Sequence, residues 1–369
     1  MKEYTCASRC LGIEISGIRK LFESAGPGSI NMGLGQPDYD TPDHIKEGAI
    51  RAIDEGKTGY TSNMGIPELR EALSVKFRTE NGLDYQPDQI IVTAGASEGL
   101  HIIMHALIEP GDRVLFADPG FVSYGSLALL AGGKPEGVPL NSRLCIDIEK
   151  AKVMMDGARM FVLNSPGNPT GAVESKDAIR ALVEYANDAG VTVVSDEVYE
   201  HFIYEGTHWS AARFGEDVMT VNAASKTYAM TGWRLGYLAG PKAYTEQCVK
   251  VHQYCQACAA SISQYAALTA LTGPQDCVRV MRDEYRWRRD YLYAALKKMG
   301  FRFPLPAGAF YMFAPLGKEL VARVLRKGVV IVPGEAFGCN APDYARMNYA
   351  VSRNDLKTAV ERIHSAQGE

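Results

Sequence analysis

Short, almost unbroken apolar runs punctuate this chain, and longer stretches with apolar residues at helical spacing lie between them. Ile90 to Thr93, Arg113 to Ala117, Met160 to Leu163, Val191 to Ser195 and Met219 to Ala224 are such runs. Each is too short for a stable helix and rich in strand-favouring side chains, so each predicts a strand covered on both faces. Ser97 to Leu107 reads as a helix following the first of them, with Ser97 near its N-cap. Strands alternating with helices imply a mostly parallel α/β sheet. Further on, Gly308 to Phe313, Gly328 to Gly338 and Tyr344 to Ala350 read as short strands with a helix at the end, an α+β pattern. The expected organisation is a large unit over 41–277 and a smaller one made of 1–40 and 278–369. No long linker separates them, so they should share an interface. Two further helices are expected: Leu11 to Phe22, ended by Gly26-Pro27-Gly28, and Arg279 to Leu296, whose many charges suggest a solvated face.

Composition narrows the partners. Among 369 residues, 39 basic side chains stand against 43 acidic ones, which gives no general attraction to nucleic acid or an anionic membrane. No apolar run approaches the roughly 18 residues that span a bilayer, and Met1 to Ser24 lacks the apolar block of a signal peptide. A cytoplasmic protein acting on small molecules is expected. Eight cysteines do not make a disulfide scaffold at this length. Cys255 and Cys258 have a ligand-like spacing that Cys6 and Cys10 could complete. Yet the first pair lies in Gln253 to Leu271, which reads as an alanine-rich packing helix, where cysteine serves as a small hydrophobe. No metal site is expected.

The chemistry sits just past the strand runs. Lys226 follows one directly, and Arg234 comes eight residues later in a glycine-punctuated turn, so an amine and a guanidinium can face one cavity. A desolvated lysine condenses with a carbonyl, and the arginine fork matches a phosphate; together they suit a phosphorylated aldehyde. Asp196 and Tyr199 follow another run, and they share a face if a helical turn begins there. Asn164 to Gly171 is a loop stiffened by Pro166 and Pro169, with Asn168 able to donate and accept. Ala94-Gly95-Ala96 before a helix start is a potential anion site, and Phe121 is placed to stack on a flat ring. Gly33 and Gly35 allow close backbone approach to a ligand. Tyr60 lies in a polar loop, and Arg346 lies in a strand of mostly uncharged residues, where it needs an anion. Ligands of parallel sheets sit outside the carboxyl ends of the strands, where Asn168, Asp196 and Lys226 all fall.

With those stretches together, the chain resembles the class I aminotransferases, the pyridoxal-phosphate (PLP) enzymes of fold type I, in their aspartate and aromatic branch. The resemblance runs from Gly33-Leu34-Gly35-Gln36-Pro37-Asp38 through Asn164 to Gly171 and Ser195-Asp196-Glu197-Val198-Tyr199 to Ser225-Lys226 and Gly232-Trp233-Arg234-Leu235-Gly236. It implies that Lys226 holds PLP as an internal aldimine and shuttles the proton, and that Asp196 pairs with the pyridinium nitrogen. It further implies that Tyr199 and Asn168 bond the ring's 3′ oxygen and that Phe121 stacks on the ring. Arg234, Ser225 and the backbone of Ala96 and Ser97 would hold the phosphate, with Tyr60 reaching that of a neighbouring subunit in a homodimer. Arg346, helped by Gly35, would bind the substrate carboxylate. Some aspartate-specific relatives carry a lysine where this chain has Ser97, and the stretch after Phe313 is short for the family. The implied activity is amino transfer between aspartate or an aromatic amino acid and a 2-oxo acid such as 2-oxoglutarate. The alternatives are a PLP-dependent carbon-sulfur β-lyase, which would use the same Lys226 and Asp196, and a non-catalytic PLP regulator.

Overall fold

The computed structural model describes residues 6–15, 26 and 28–369. Its centre is a sheet of seven strands: β2 (Ile90–Thr93), β3 (Arg113–Asp118), β4 (Lys134–Pro139), β5 (Met160–Asn164), β6 (Thr192–Asp196), β7 (Val218–Ala223) and β8 (Gly236–Ala239). A two-residue strand, β1 (Ile30–Asn31), precedes them. The spatial order is β2-β8-β7-β6-β5-β3-β4, and every pairing is parallel except those of β8, which runs antiparallel to β2 and β7.

The apolar runs are continuous because both faces of the sheet are covered. Along β5, Met160 and Val162 join a core with the helices Ala96–Leu107 and Lys242–Cys255, while Phe161 and Leu163 face the helices Ile148–Met155 and Lys176–Asp188. Successive strand residues point to opposite layers, so apolar side chains are needed at consecutive positions. Each fully buried Phe or Leu of this kind contributes about 1.5–3 kcal/mol. The helix Lys176–Asp188 shows the matching pattern: Ser175 caps it by accepting from the Ala178 N–H at 3.2 Å, and Ala178, Ile179, Leu182, Val183 and Ala186 form its buried stripe.

A second body follows. β9 (Tyr311–Ala314), β11 (Val332–Pro333) and β12 (Ala345–Asn348) form an antiparallel sheet, and β10 (Val329–Val330) pairs with β1. The helices Asp276–Lys298, Lys318–Arg326 and Arg353–Gln367 share its core. Among the described residues no helix is long and apolar enough to cross a membrane.

Two expectations change, and a third falls mostly outside the described residues. In Asp276–Lys298 the charges are not all solvated: Arg288 and Arg289 are buried, the first bonded to Asp38 and Glu284 at 2.8 Å, the second to Asp290 and the Pro306 carbonyl. Tertiary partners supplied by Asp38 and Pro306 override the local pattern. Gln253 to Leu271 is not one helix, since the chain breaks after Cys255, with Ala257 left-handed at φ 61°, and restarts at Ser261. Cys255 is therefore exposed rather than packed, as are Cys6 and Cys10. The helix expected over Leu11 to Phe22 lies mostly outside the described residues, which show one turn, Ser8–Leu11.

The two bodies meet above the sheet's carboxyl edge. Asp118, at the end of β3, accepts from the Cys339 and Asn340 N–H groups at 3.3 Å, and the Gly120 N–H donates to the Phe337 carbonyl at 2.8 Å. Gly338 lies between them at φ 141°, where a Cβ would stand 1.9 Å from an Asp118 carboxylate oxygen. Gly338→Ala should therefore lower stability by about 1–3 kcal/mol, from backbone strain plus the clash, as measured by urea unfolding.

Candidate active site

Strand ends deliver the reactive groups. β7 closes at Ala223, one residue earlier than expected, and Ala224–Thr227 forms a single helical turn that carries Lys226. The Lys226 Nζ donates to the Gly35 carbonyl at 2.8 Å. Burial, with the positive charges of Arg346 and Arg234, brings its pKa down to about 8, and Asp196 opposes the shift. That leaves a usable neutral fraction of amine near neutrality, as nucleophilic chemistry requires.

Asp196 ends β6 and is buried. One carboxylate oxygen accepts from the Tyr124 hydroxyl at 2.8 Å. Burial raises its pKa to about 6, although the Tyr124 bond pulls the other way. The residues after it form a turn rather than a helix, so Asp196 and Tyr199 find separate partners: the Tyr199 hydroxyl bonds the Tyr311 hydroxyl at 2.6 Å. Asn164 ties the neighbouring strand ends together, donating to the Asp196 carbonyl and accepting from the Asn168 N–H, both at 2.9 Å.

Arg346 reaches the same place from the second body. It is 1% exposed, and its guanidinium donates to Asn168 Oδ1 at 2.8 Å and to the Gly33 carbonyl. The rings of Tyr311 and Phe337 lie 4.5 and 4.8 Å from it. Its Nε has no partner, and no carboxylate among the described residues pairs with it. Burial alone pushes its pKa down. A buried guanidinium held by neutral acceptors and aromatic faces is a receptor for an anion.

The opposite end of the site is a turn built for a second anion. Gly95, left-handed at φ 83°, is the N-cap of the helix Ala96–Leu107, and a Cβ there would come within 2.6 Å of the Arg234 guanidinium. The first N–H groups of that helix, at Ala96 and Ser97, have no intrahelical acceptor. Ser97 is the second helical residue rather than the cap, and its side chain makes no capping bond. Arg234 is exposed, donating to the Thr231 and Ala94 carbonyls, and buried Ser225 belongs to the Lys226 turn. Phe121 packs edge-on against Tyr124, with ring centres 5.5 Å apart.

One predicted residue stands apart: Tyr60 is 93% exposed and bonds none of the others. Three others were missed. Tyr124 was legible as an aromatic one helical turn after Phe121. Tyr311 and Asn164 carried no signal, because a tyrosine in an apolar strand and an asparagine at a strand end are ordinary.

Known proteins resemble this chain along most of its length. The family described as Aminotransferase class I and II matches residues 27–363. The probable aspartate aminotransferase of Methanocaldococcus jannaschii is 44% identical, over 96% of this chain and 97% of its own. The aromatic-amino-acid aminotransferase 2 of Thermococcus litoralis is 39% identical, over 96% of both. The aspartate aminotransferase of Thermus thermophilus, solved with maleate, superposes with a TM-score of 0.94 at 36% identity, over 99% of this chain and all of that one.

Selective acylation of Lys226 should follow from its environment. Its labelling rate, read by peptide mass spectrometry, should rise with a midpoint near pH 8, where lysines of ordinary pKa near 10.5 remain protonated.

Proposed function

The chain belongs to the class I and II aminotransferases, and from that premise we propose that its transamination uses PLP, with aspartate or an aromatic amino acid as donor and 2-oxoglutarate as acceptor. When bound, PLP supplies an electron-accepting ring that stabilises negative charge at the substrate Cα.

The residues present fit that group. Lys226 offers an amine of lowered pKa, and Asp196 a buried carboxylate that accepts from the Tyr124 hydroxyl on one oxygen and, at 3.4 Å, from the Val198 N–H on the other. Tyr199 and Asn168 would face the ring's 3′ oxygen, Phe121 would cover its face, and Arg234, Ser225 and the N–H groups of Ala96 and Ser97 would take the phosphate. Asp196 would hold a proton on the ring nitrogen, and Lys226 would move the proton at Cα.

The observation that carries the reading is Arg346. Its guanidinium, with no carboxylate partner among the described residues, donates to Gly33, two residues from the Gly35 carbonyl that takes the Lys226 amine. A carboxylate bound at Arg346 therefore brings the adjoining Cα towards the proton-transferring lysine. Any α-amino acid has that spacing of groups, which supports transamination without choosing among side chains.

Tyr60 is the residue we assign to the neighbouring subunit's phosphate in a homodimer; its exposure supports that role. The large unit over 41–277 and the small one of 1–40 and 278–369 would close over the substrate, with the Asp118 contacts at their junction. We place the protein in the cytoplasm.

Three outcomes test this. Lys226→Ala should abolish both turnover and the characteristic absorption of lysine-bound PLP in the purified protein. Arg346→Ala should raise the apparent KM for aspartate, phenylalanine and tyrosine alike by about 10- to 100-fold, as loss of a charge-assisted contact implies; an unchanged KM would assign the carboxylate to another residue. In the unaltered enzyme, conversion of the absorption band by an amino acid and its reversal by 2-oxoglutarate would rank the donors and separate amino transfer from elimination.

A further inference from the structure

Beyond Asp196 the chain places a second set of charges that the roles above leave unused. Glu197, the next residue, points away from the Asp196 side chain and is 1% exposed. Its carboxylate accepts from Ser195 Oγ at 2.8 Å and Ser210 Oγ at 2.7 Å, and it lies 3.0 Å from His208 Nε2. Glu200, one turn on, is bonded by Lys76 and by Asn81 Nδ2 at 2.7 Å, and His208 Nε2 lies 3.9 Å from it. Lys76 also donates to Asn81 Oδ1 at 2.7 Å, and Glu80 lies 3.7 Å from its ammonium. His201 bridges Glu80 and the Thr227 hydroxyl beside Lys226, both at 3.1 Å.

The charges decide the state of His208. Two buried carboxylates, Glu197 and Glu200, face one buried ammonium; His201 Nδ1 lies 3.7 Å from Glu200 alone, whereas His208 Nε2 lies between the two carboxylates and is the histidine in reach of Glu197. A carboxylate only accepts hydrogen bonds, so Nε2 must carry a proton towards Glu197. Burial works against the imidazolium, and the Glu197 and Glu200 charges more than offset this, leaving the His208 pKa above its ordinary value.

We propose that protonated His208 is a positioning residue of the active site, holding Glu197 and through it the end of β6, so that Asp196 keeps its place and its charge against the ring nitrogen of the cofactor. Glu197 adjoins Asp196 and raises the proton affinity there. His208 offsets that influence across the sheet. Removing its charge makes the potential at the cofactor more negative and raises the proton affinity of the groups around it.

The inference rests on the PLP reading for only one of its two readouts. In the PLP-loaded protein, His208→Gln should move the pH midpoint of the cofactor's absorption change upward, by up to about one unit, or tenfold in proton affinity. A role confined to packing leaves that midpoint where it is, and an unmoved midpoint overturns the proposal. The second readout is thermal unfolding of the purified protein against pH. A histidine with a raised folded pKa stabilises fully below its ordinary value of 6.5, and that stabilisation is lost as pH rises through the folded value. The unaltered protein should show this decline and His208→Gln should lack it; the same decline in both overturns the proposal. If His208→Gln does not fold, Ser210→Ala removes one donor from Glu197 and should shift the decline to higher pH, and an unshifted decline counts against the idea. Should the unaltered protein bind no PLP, the proposed cofactor fails while the unfolding comparison still decides the role of His208.

Discussion

Burial of the Arg346 guanidinium, with no countercharge among the described residues, organises the site. Placing such a cation at 1% exposure costs free energy that the Asn168 amide, the Gly33 carbonyl and two aromatic rings only partly return. The missing part is supplied when an anion arrives. The same charge, acting with burial and Arg234, lowers the proton affinity of Lys226. One cation thus serves both as a receptor for carboxylate and as a means of keeping the nearby amine reactive.

The scaffold makes this possible by separating the two tasks. The sheet is covered on both faces, and its reactive groups emerge at the carboxyl edge, where Asn164, Asp196 and the Lys226 turn lie side by side. Arg346 comes instead from the antiparallel sheet of the second body and is brought down by contacts between Asp118, Gly120 and the segment around Gly338. Alternation along the chain gives adjacent residues opposite duties: Asp196 faces the site, and Glu197 faces the buried charges around His208 and Lys76. Those charges are bonded to one another and to Ser195, Ser210 and Asn81, which lets a polar layer lie under a catalytic floor.

The sequence by itself determined the alternation of strands and helices, because continuous apolar runs leave a buried parallel strand few alternatives. It also marked Lys226, Asp196, Asn168 and Arg346, since each breaks the pattern around it: a charge or amide just past an apolar run, or an arginine within an uncharged strand. Tertiary structure alone decided what each of them touches. Arg288 and Arg289 read as solvated because helical periodicity cannot show that Asp38 and Pro306 fold back onto them. The break at Ala257 could not be read from an alanine-rich stretch of good helix formers. Tyr124 and Tyr311 became partners of Asp196 and Tyr199 through contacts 72 and 112 residues apart in the chain. Local patterns record which side chains are out of place among their neighbours, whereas hydrogen-bond partners and pKa shifts arise from residues distant in sequence, and only the folded chain brings those within reach.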